Sequence, residues 1–346
     1  MSKLFIPLFL IIAFSGCSSD KCNVNLQDVD STSVKLTEIS FKEEPPLFPK
    51  GCMVKDSLLI MFEPKDKDGF LHIYSTETNR FIKKLGKKGR GQNEFMLPRL
   101  LGNGKFKSDK NCILLGDING IYSVNISSDH YEKVLHTALP EDLSQCNYIL
   151  ENTDNVLTVN QTGEYQLTFY DKCNDEVSFK NYFDESLIDD DLPDFERVTQ
   201  AFDAYYSAND ENIMIAYKNF KVIDLVSLKS KELTKRIYFP MYDSNQSKIS
   251  VKNSNVSMDK GAKLFFTYIY PTDNCFYALS WDADREEIEN ATARSTIYKI
   301  SNSGEIDRIY KIDQPISSFC LDQSGNIYAI GIAVNGELHI YRGKMY

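Results

Sequence analysis

The chain has 346 residues, 42% of them hydrophobic and 25% charged, and a formal net charge of −10. That is ordinary globular composition with ample apolar residue for a core, and its acidic balance argues against a nucleic-acid partner, since phosphate contact needs basic surface. Aromatics stand at 12%, with 20 Tyr and 21 Phe beside a single Trp, which favours strands over helices.

Residues 1–17 read MSKLFIPLFLIIAFSGC. Lys3 precedes an apolar run over residues 4–14. A lone helix of that length is too short to cross about 30 Å of hydrocarbon. Phe14-Ser15-Gly16-Cys17 resembles a bacterial lipobox, with Phe14 where Leu is usual. The resemblance implies removal of residues 1–16 and a diacylated, N-acylated Cys17. Two or more acyl chains anchor stably where one binds marginally. The expected address is therefore the bacterial envelope, lipid-anchored at the outer membrane on its periplasmic or surface side. Residues 17–32 are polar and are expected to form a flexible tether.

Cys22, Cys52, Cys112, Cys146, Cys173, Cys275 and Cys320 remain. None forms C-x-x-C, and no Cys/His spacing resembles a zinc site. Cys52, Cys112 and Cys320 sit in apolar strand patterns. Buried, unpaired thiols are the expectation, although the compartment permits disulfides.

From residue 33 onward, strand-like runs recur in groups of four, with a period of about 45–55 residues. The first group is 52–54, 58–62, 71–74 and 80–85; the second is 100–106, 112–115, 121–126 and 131–136. The third is 147–150, 156–160, 165–170 and 177–182; the fourth is 201–206, 212–217, 221–225 and 232–239. The fifth is 263–268, 275–281, 297–300 and 306–312. Asp68-Gly69, Asn119-Gly120, Thr162-Gly163 and Ser303-Gly304 supply turns within the groups. No amphipathic helix is expected.

The sixth group has only three runs, 316–321, 326–332 and 337–341, turned at residues 323–326 and at Asn335-Gly336. Its last strand would leave a raw edge, which proteins avoid. The orphan run 33–41 (SVKLTEISF) alternates Val34, Leu36, Ile39 and Phe41 with polar neighbours. A strand from one end completing the sheet at the other seals a ring of sheets. The expected fold is all-β, a six-bladed propeller over residues 33–346, with blade six closed by the N-terminal strand.

Two motifs fit that fold. Gly86, Gly89, Gly91, Glu94 and Phe95 in GKKGRGQNEF match the G-x-x-G-x-G-P-x-E-F signature of the TolB-like six-bladed propeller lipoproteins of Bacteroidetes, with Gln92 in place of Pro. LDQSGNIYAI, residues 321–330, resembles the D-x-x-G-N-I-Y-V strand pair of NHL-like propellers. The chain therefore resembles that lipoprotein family at both ends. The resemblance implies a fold and an address, and no activity.

The Gly-rich stretch, among Lys83, Lys84, Lys87, Lys88 and Arg90, could cradle an anion. No helix pattern follows it, so it is neither a P-loop nor a Rossmann turn. The structural alternative is an inter-blade crossing in which Phe95 packs between blades and Glu94 bonds backbone amides. In a propeller, the second-to-third-strand connections and the inter-blade crossings share one face at the channel. Candidate ligand-binding residues there are Trp281, Asp282, Asp284, Arg285, Asp117, Asn119, Arg90 and Glu94. Trp281 opens the longest such loop, where an indole beside carboxylates and an Arg could stack on a sugar.

The acidic run 184–196 could hold a divalent cation but lacks the spacing of a calcium loop and reads better as an acidic surface insertion, so no cofactor is expected, with Ca2+ an alternative that no motif supports. His72 and His339 occupy matching L-H-I-Y runs, which points to equivalent blade positions. No G-x-S-x-G elbow or H-E-x-x-H occurs, and no catalytic residue is expected. The reading is a monomeric, membrane-anchored binding module for an envelope protein or glycan. The alternative is a lactonase-type hydrolase holding a metal near Asp117, Asn119 and Asp282. A third is a structural scaffold of an envelope complex.

Overall fold

The computed structural model describes residues 22–23, 25–101, 112–118, 120–127, 133–138, 148–151, 155–159, 165–188, 194–240, 249–252, 255–258, 261–290, 292–332 and 338–345. Six antiparallel sheets succeed one another along the chain. Blade one is Gly51–Lys55, Leu58–Phe62, Leu71–Ser75 and Phe81–Leu85. Blade two is Arg99–Leu100, Cys112–Asp117, Gly120–Asn125 and Lys133–Ala138. Blade three is Tyr148–Glu151, Asn155–Val159, Leu167–Asp171 and Glu176–Lys180. Blade four is Ala204–Ala208, Asn212–Tyr217, Val222–Ser227 and Leu233–Tyr238. Blade five is Lys263–Pro271, Cys275–Asp284, Ser295–Ser301 and Ile306–Ile312. Blade six is Ile316–Leu321, Asn326–Gly331 and Ile340–Lys344.

The strands just given form a meander in each blade, neighbours in the chain being neighbours in the sheet; N-terminal strands are added at the outer edges of blades four, five and six. The second strands are buried along most of their length, and in blade four the third strand is as well. Burial on both faces is what a sheet packed between two neighbours requires. First strands of successive blades touch each other (four with five, five with six, six with one), so the first strand of each blade faces the ring's axis.

The ring closes where expected. Thr37–Glu38 pairs antiparallel with Ile340–Lys344, in the register Thr37↔Arg342 and Glu38↔Tyr341, and the Ile39 amide donates to the Ile340 carbonyl at 2.7 Å. The orphan run is not one strand, however. Ser31–Val34 lies parallel on the outer strand of blade five, and only then does the chain step to blade six. Asp313 marks the step by accepting the Leu36 amide at 2.9 Å. Val34, Leu36 and Ile39 are all buried in the core between blades five, six and one. Cys22–Asn23 pairs parallel with the outer strand of blade four. Within the stretch expected as tether, Cys22–Asn23 and the first residues of Ser31–Val34 thus lie along the outer strands of blades four and five.

Two short helices depart from the expectation. α1, Asp194–Phe202, enters blade four, and α2, Arg285–Glu289, follows the second strand of blade five. The acidic run masked α1, whose Phe195, Val198 and Phe202 follow helical spacing. The first strand of blade four therefore begins at Ala204, after the helix. An additional hairpin, Ile249–Lys252 with Asn255–Met258, lies between blades four and five. No helix among the described residues is long and apolar enough to cross a membrane. Cys52, Cys275 and Cys320 are buried free thiols, Cys112 is half-buried, and Cys173 is an exposed free thiol on a blade-three turn.

Candidate binding face

The crossing from blade one to blade two is built by the Gly-rich stretch. Gly86 has φ +78°, and a Cβ there would meet the Phe70 ring. Lys87–Lys88 then pairs parallel with Glu94–Phe95, folding the loop on itself. The Gly89 amide donates to Phe95 O at 3.0 Å, and the Gly91 amide to Glu94 Oε2 at 2.8 Å. A Cβ at Gly89 would fall on Glu94 Oε2, so the Gly and the Glu of the signature require each other. Phe95 is fully buried, edge-on to Phe70 at 5.3 Å and to Tyr122 of blade two at 5.9 Å. Arg90 is exposed on the same loop.

Asp117, at the end of the second strand of blade two, is buried and serves this crossing. Its carboxylate accepts the amides of Met96 (3.1 Å) and Leu97 (2.8 Å) and pairs with Lys133 Nζ at 2.6 Å. Lys133 also donates to Glu94 O at 2.8 Å and lies 4.1 Å from the Tyr122 ring centroid. Burial pushes the Asp117 carboxyl up, but the Lys133 ammonium and the Leu97 and Ile118 amides outweigh it, and the net direction is below the usual carboxylate range.

Blade one repeats the device. Glu63, just past its second strand, is buried and accepts the Leu47 amide at 2.8 Å and the Phe48 amide at 3.4 Å. Behind it His72, buried, has Nδ1 3.6 Å from Glu63 and Nε2 2.9 Å from Asp66. Lys84 joins Asp66 (3.2 Å) to Glu44 (2.9 Å). Burial raises the Asp66 carboxyl, and His72, the Asp68 amide and Lys84 bring it below its ordinary value. His339, at the matching position of blade six, pairs with Glu38 at 2.8 Å across the closing strand.

On blade five, Trp281 and Asp282 lie within the second strand, which runs on to Asp284, where a loop was expected. Trp281 donates its indole N–H to Ile316 O of blade six at 2.7 Å. Asp282 pairs with Lys221 of blade four at 2.8 Å and Lys263 at 3.4 Å. Asp284 caps α2 in a reciprocal capping box with Glu287. Arg285, 70% exposed, pairs with Glu289 at 2.6 Å. Asn119 and residues 161–164 lie outside the described residues.

The candidates therefore share one face but form two groups, one at blades one and two and one at blade five. Most of their polar atoms are spent on backbone amides, blade boundaries or a helix cap. Among the described residues no three His, Cys, Asp or Glu side chains converge as a metal site. The sequence reading missed Glu63, with Leu47, Phe48, Met96 and Leu97. Superposing blades one and two would have exposed them: apolar-apolar-Pro (Leu47-Phe48-Pro49, Met96-Leu97-Pro98) precedes each first strand, and an acid ends or follows each second strand. A separate cavity of about 440 Å³ lies between blades five and six on the opposite face, lined by Tyr277, Lys299, Asp307, Arg308, Tyr310 and Met345 among others.

Residues 31–324 match the family of TolB-like 6-blade propeller-like proteins, and the chain belongs to it. Among solved structures it is similar to a DUF4221-family member from Bacteroides vulgatus, with TM-score 0.53 and 11% identity over 90% of this chain and 98% of that one. It is also similar to a protein of Bacteroides fragilis described as exported, with TM-score 0.52 and 11% identity over 91% and 98% of the two chains. At that identity the likeness speaks for the fold. No curated protein matches the chain.

Proposed function

We propose that this propeller is a lipid-anchored envelope protein that binds a protein or glycan ligand on its channel face, without chemistry of its own. One observation carries the reading. On the described part of that face Asp117, Glu63 and Glu94 hold loops in place and Asp284 caps a helix, while Arg90, Arg285 and the apolar loop residues stay exposed. A rigid scaffold carrying exposed loop residues suits recognition. The lipobox-like Cys17 and the exported relative support the address.

Two measurements test it. Radiolabelled palmitate should enter the wild-type chain in a bacterial host and fail to enter Cys17→Ser. Benzoylphenylalanine at Arg90 should cross-link an envelope component in cells, while the same probe at Ser303, in a turn of the opposite face, should not. Equal cross-linking from both positions, or none from Arg90, would remove the assignment of the face.

A further inference from the structure

We propose that the channel mouth at blades one and two is a docking surface for an acidic polypeptide segment bearing apolar side chains, seated on Leu47, Phe48, Met96 and Leu97. This rests on the binding-face reading above and specifies its partner as protein.

The same construction occurs twice. In each blade a buried carboxylate at the end of the second strand takes two consecutive amides of the incoming crossing: Glu63 takes Leu47 and Phe48, and Asp117 takes Met96 and Leu97. In each, a buried proline follows (Pro49, Pro98) and restricts its predecessor to extended backbone. In each, a basic side chain backs the carboxylate: buried His72 at 3.6 Å and half-buried Lys133 at 2.6 Å. Desolvating these groups is costly, and they hold backbone whose side chains point to water. Leu47 is 62% exposed, Phe48 54%, Met96 43% and Leu97 52%. The pairs precede neighbouring first strands; a Cβ on Gly51 would lie 3.4 Å from Leu100. Stacked sheets place the pairs about 10 Å apart. Rigid apolar side chains grouped in this way mark an interaction site.

Charge selects the partner. Lys42, Lys50, Lys65, Lys67, Lys87 and Arg90 are exposed on these crossings and the adjoining turn. Of the exposed acids there (Glu43, Glu44 and Asp68), Glu44 is engaged by Lys84. Lys65 Nζ lies 5.6 Å from the Phe48 ring centroid. The mouth is thus basic on a chain whose net charge is −10. An acidic segment matches it. A second copy would set lysine against lysine, and an anionic bilayer would repel the remaining surface.

The test selects a phage library of random linear peptides on the immobilised full chain. Enriched peptides should combine Asp or Glu with Leu, Phe, Trp or Met. Phe48→Asp and Leu97→Asp should each weaken their binding by about tenfold or more, as truncation of a central apolar anchor does. Added salt should slow association. Ile82→Asp, which replaces an exposed apolar residue on the outer strand of blade one, should leave binding unchanged. The proposal falls if nothing enriches, if the enriched peptides are basic or wholly polar, or if the mouth variants bind as well as wild type. It also falls if those variants abolish binding to phosphatidylglycerol vesicles or dissociate a dimer, since the occupant is then a bilayer or a second copy. Persisting Arg90 cross-links in any of these cases would leave the broader binding-face reading intact.

Discussion

Gly89 has its role because Glu94 lies where its Cβ would be. Gly89→Ala must displace the carboxylate from the Gly91 amide or open the crossing. It should cost roughly 1–3 kcal/mol in urea denaturation, the scale of an overpacked site. Asp117 makes a pH prediction. Its carboxyl lies below its usual range in the folded chain, as do those of Asp66 and Asp184. A depressed folded value contributes stability that is present above the unfolded value, about 3.9, and lost as pH falls through the folded one. The urea midpoint should therefore drop as pH is lowered from about 5 to about 3, and Asp117→Asn should flatten part of that drop.

At the scale of elements, the geometry of the closing strand can be probed by a single methyl. Gly343, in the third strand of blade six, would place a Cβ 2.6 Å from Leu36 Cδ2 and 2.7 Å from Lys35 O. Gly343→Ala should push the N-terminal segment off blade six, and hydrogen exchange at Ile39 should accelerate while the Tyr328 amide in the second strand stays protected. Leu36→Ala, which empties a buried site in the seam, should cost about 2–5 kcal/mol by equilibrium unfolding. The helices teach a different lesson. α2 is short and exposed, held by its capping box and the Arg285–Glu289 pair. Such an element redirects a connection without needing a core of its own.

Across the molecule, blades depend on the groups shared at their boundaries. Between blades three and four, Arg236 takes both oxygens of Asp224 at 2.7 and 2.8 Å and also bonds Tyr182 O. Tyr217 donates to Asp224 at 2.8 Å, and Gln166 of the blade-three side reaches Tyr217 at 3.4 Å. Asp224 is fully buried, and burial pushes its carboxyl up against the pull of Arg236 and Tyr217. Arg236→Met leaves that acid without its cation. It should cost about 3–5 kcal/mol, while Asp224→Asn combined with Arg236→Met should recover part of the loss, as removal of both partners of a buried pair does. If the ring unfolds as one unit, near-ultraviolet dichroism and Trp281 fluorescence should report one shifted transition, although Trp281 lies on blade five.

Blade number, blade grouping and ring closure were legible in the residues alone. Alternating apolar positions and Gly or Asn turns act over a few residues, and a missing strand at one end beside an orphan at the other admits few solutions. The crossing signature was legible too, because Gly89 and Glu94 interact across a short loop. What Asp117, Glu63, Asp282 and Trp281 do was not, because each bonds a residue far along the chain or across a blade boundary. Nor was the split of the N-terminal run into two strands, which depends on Asp313 of a neighbouring blade accepting one amide. Local periodicity sets which side chains face inward; only packed neighbours decide which polar group meets which, and so which side chains are left for a partner.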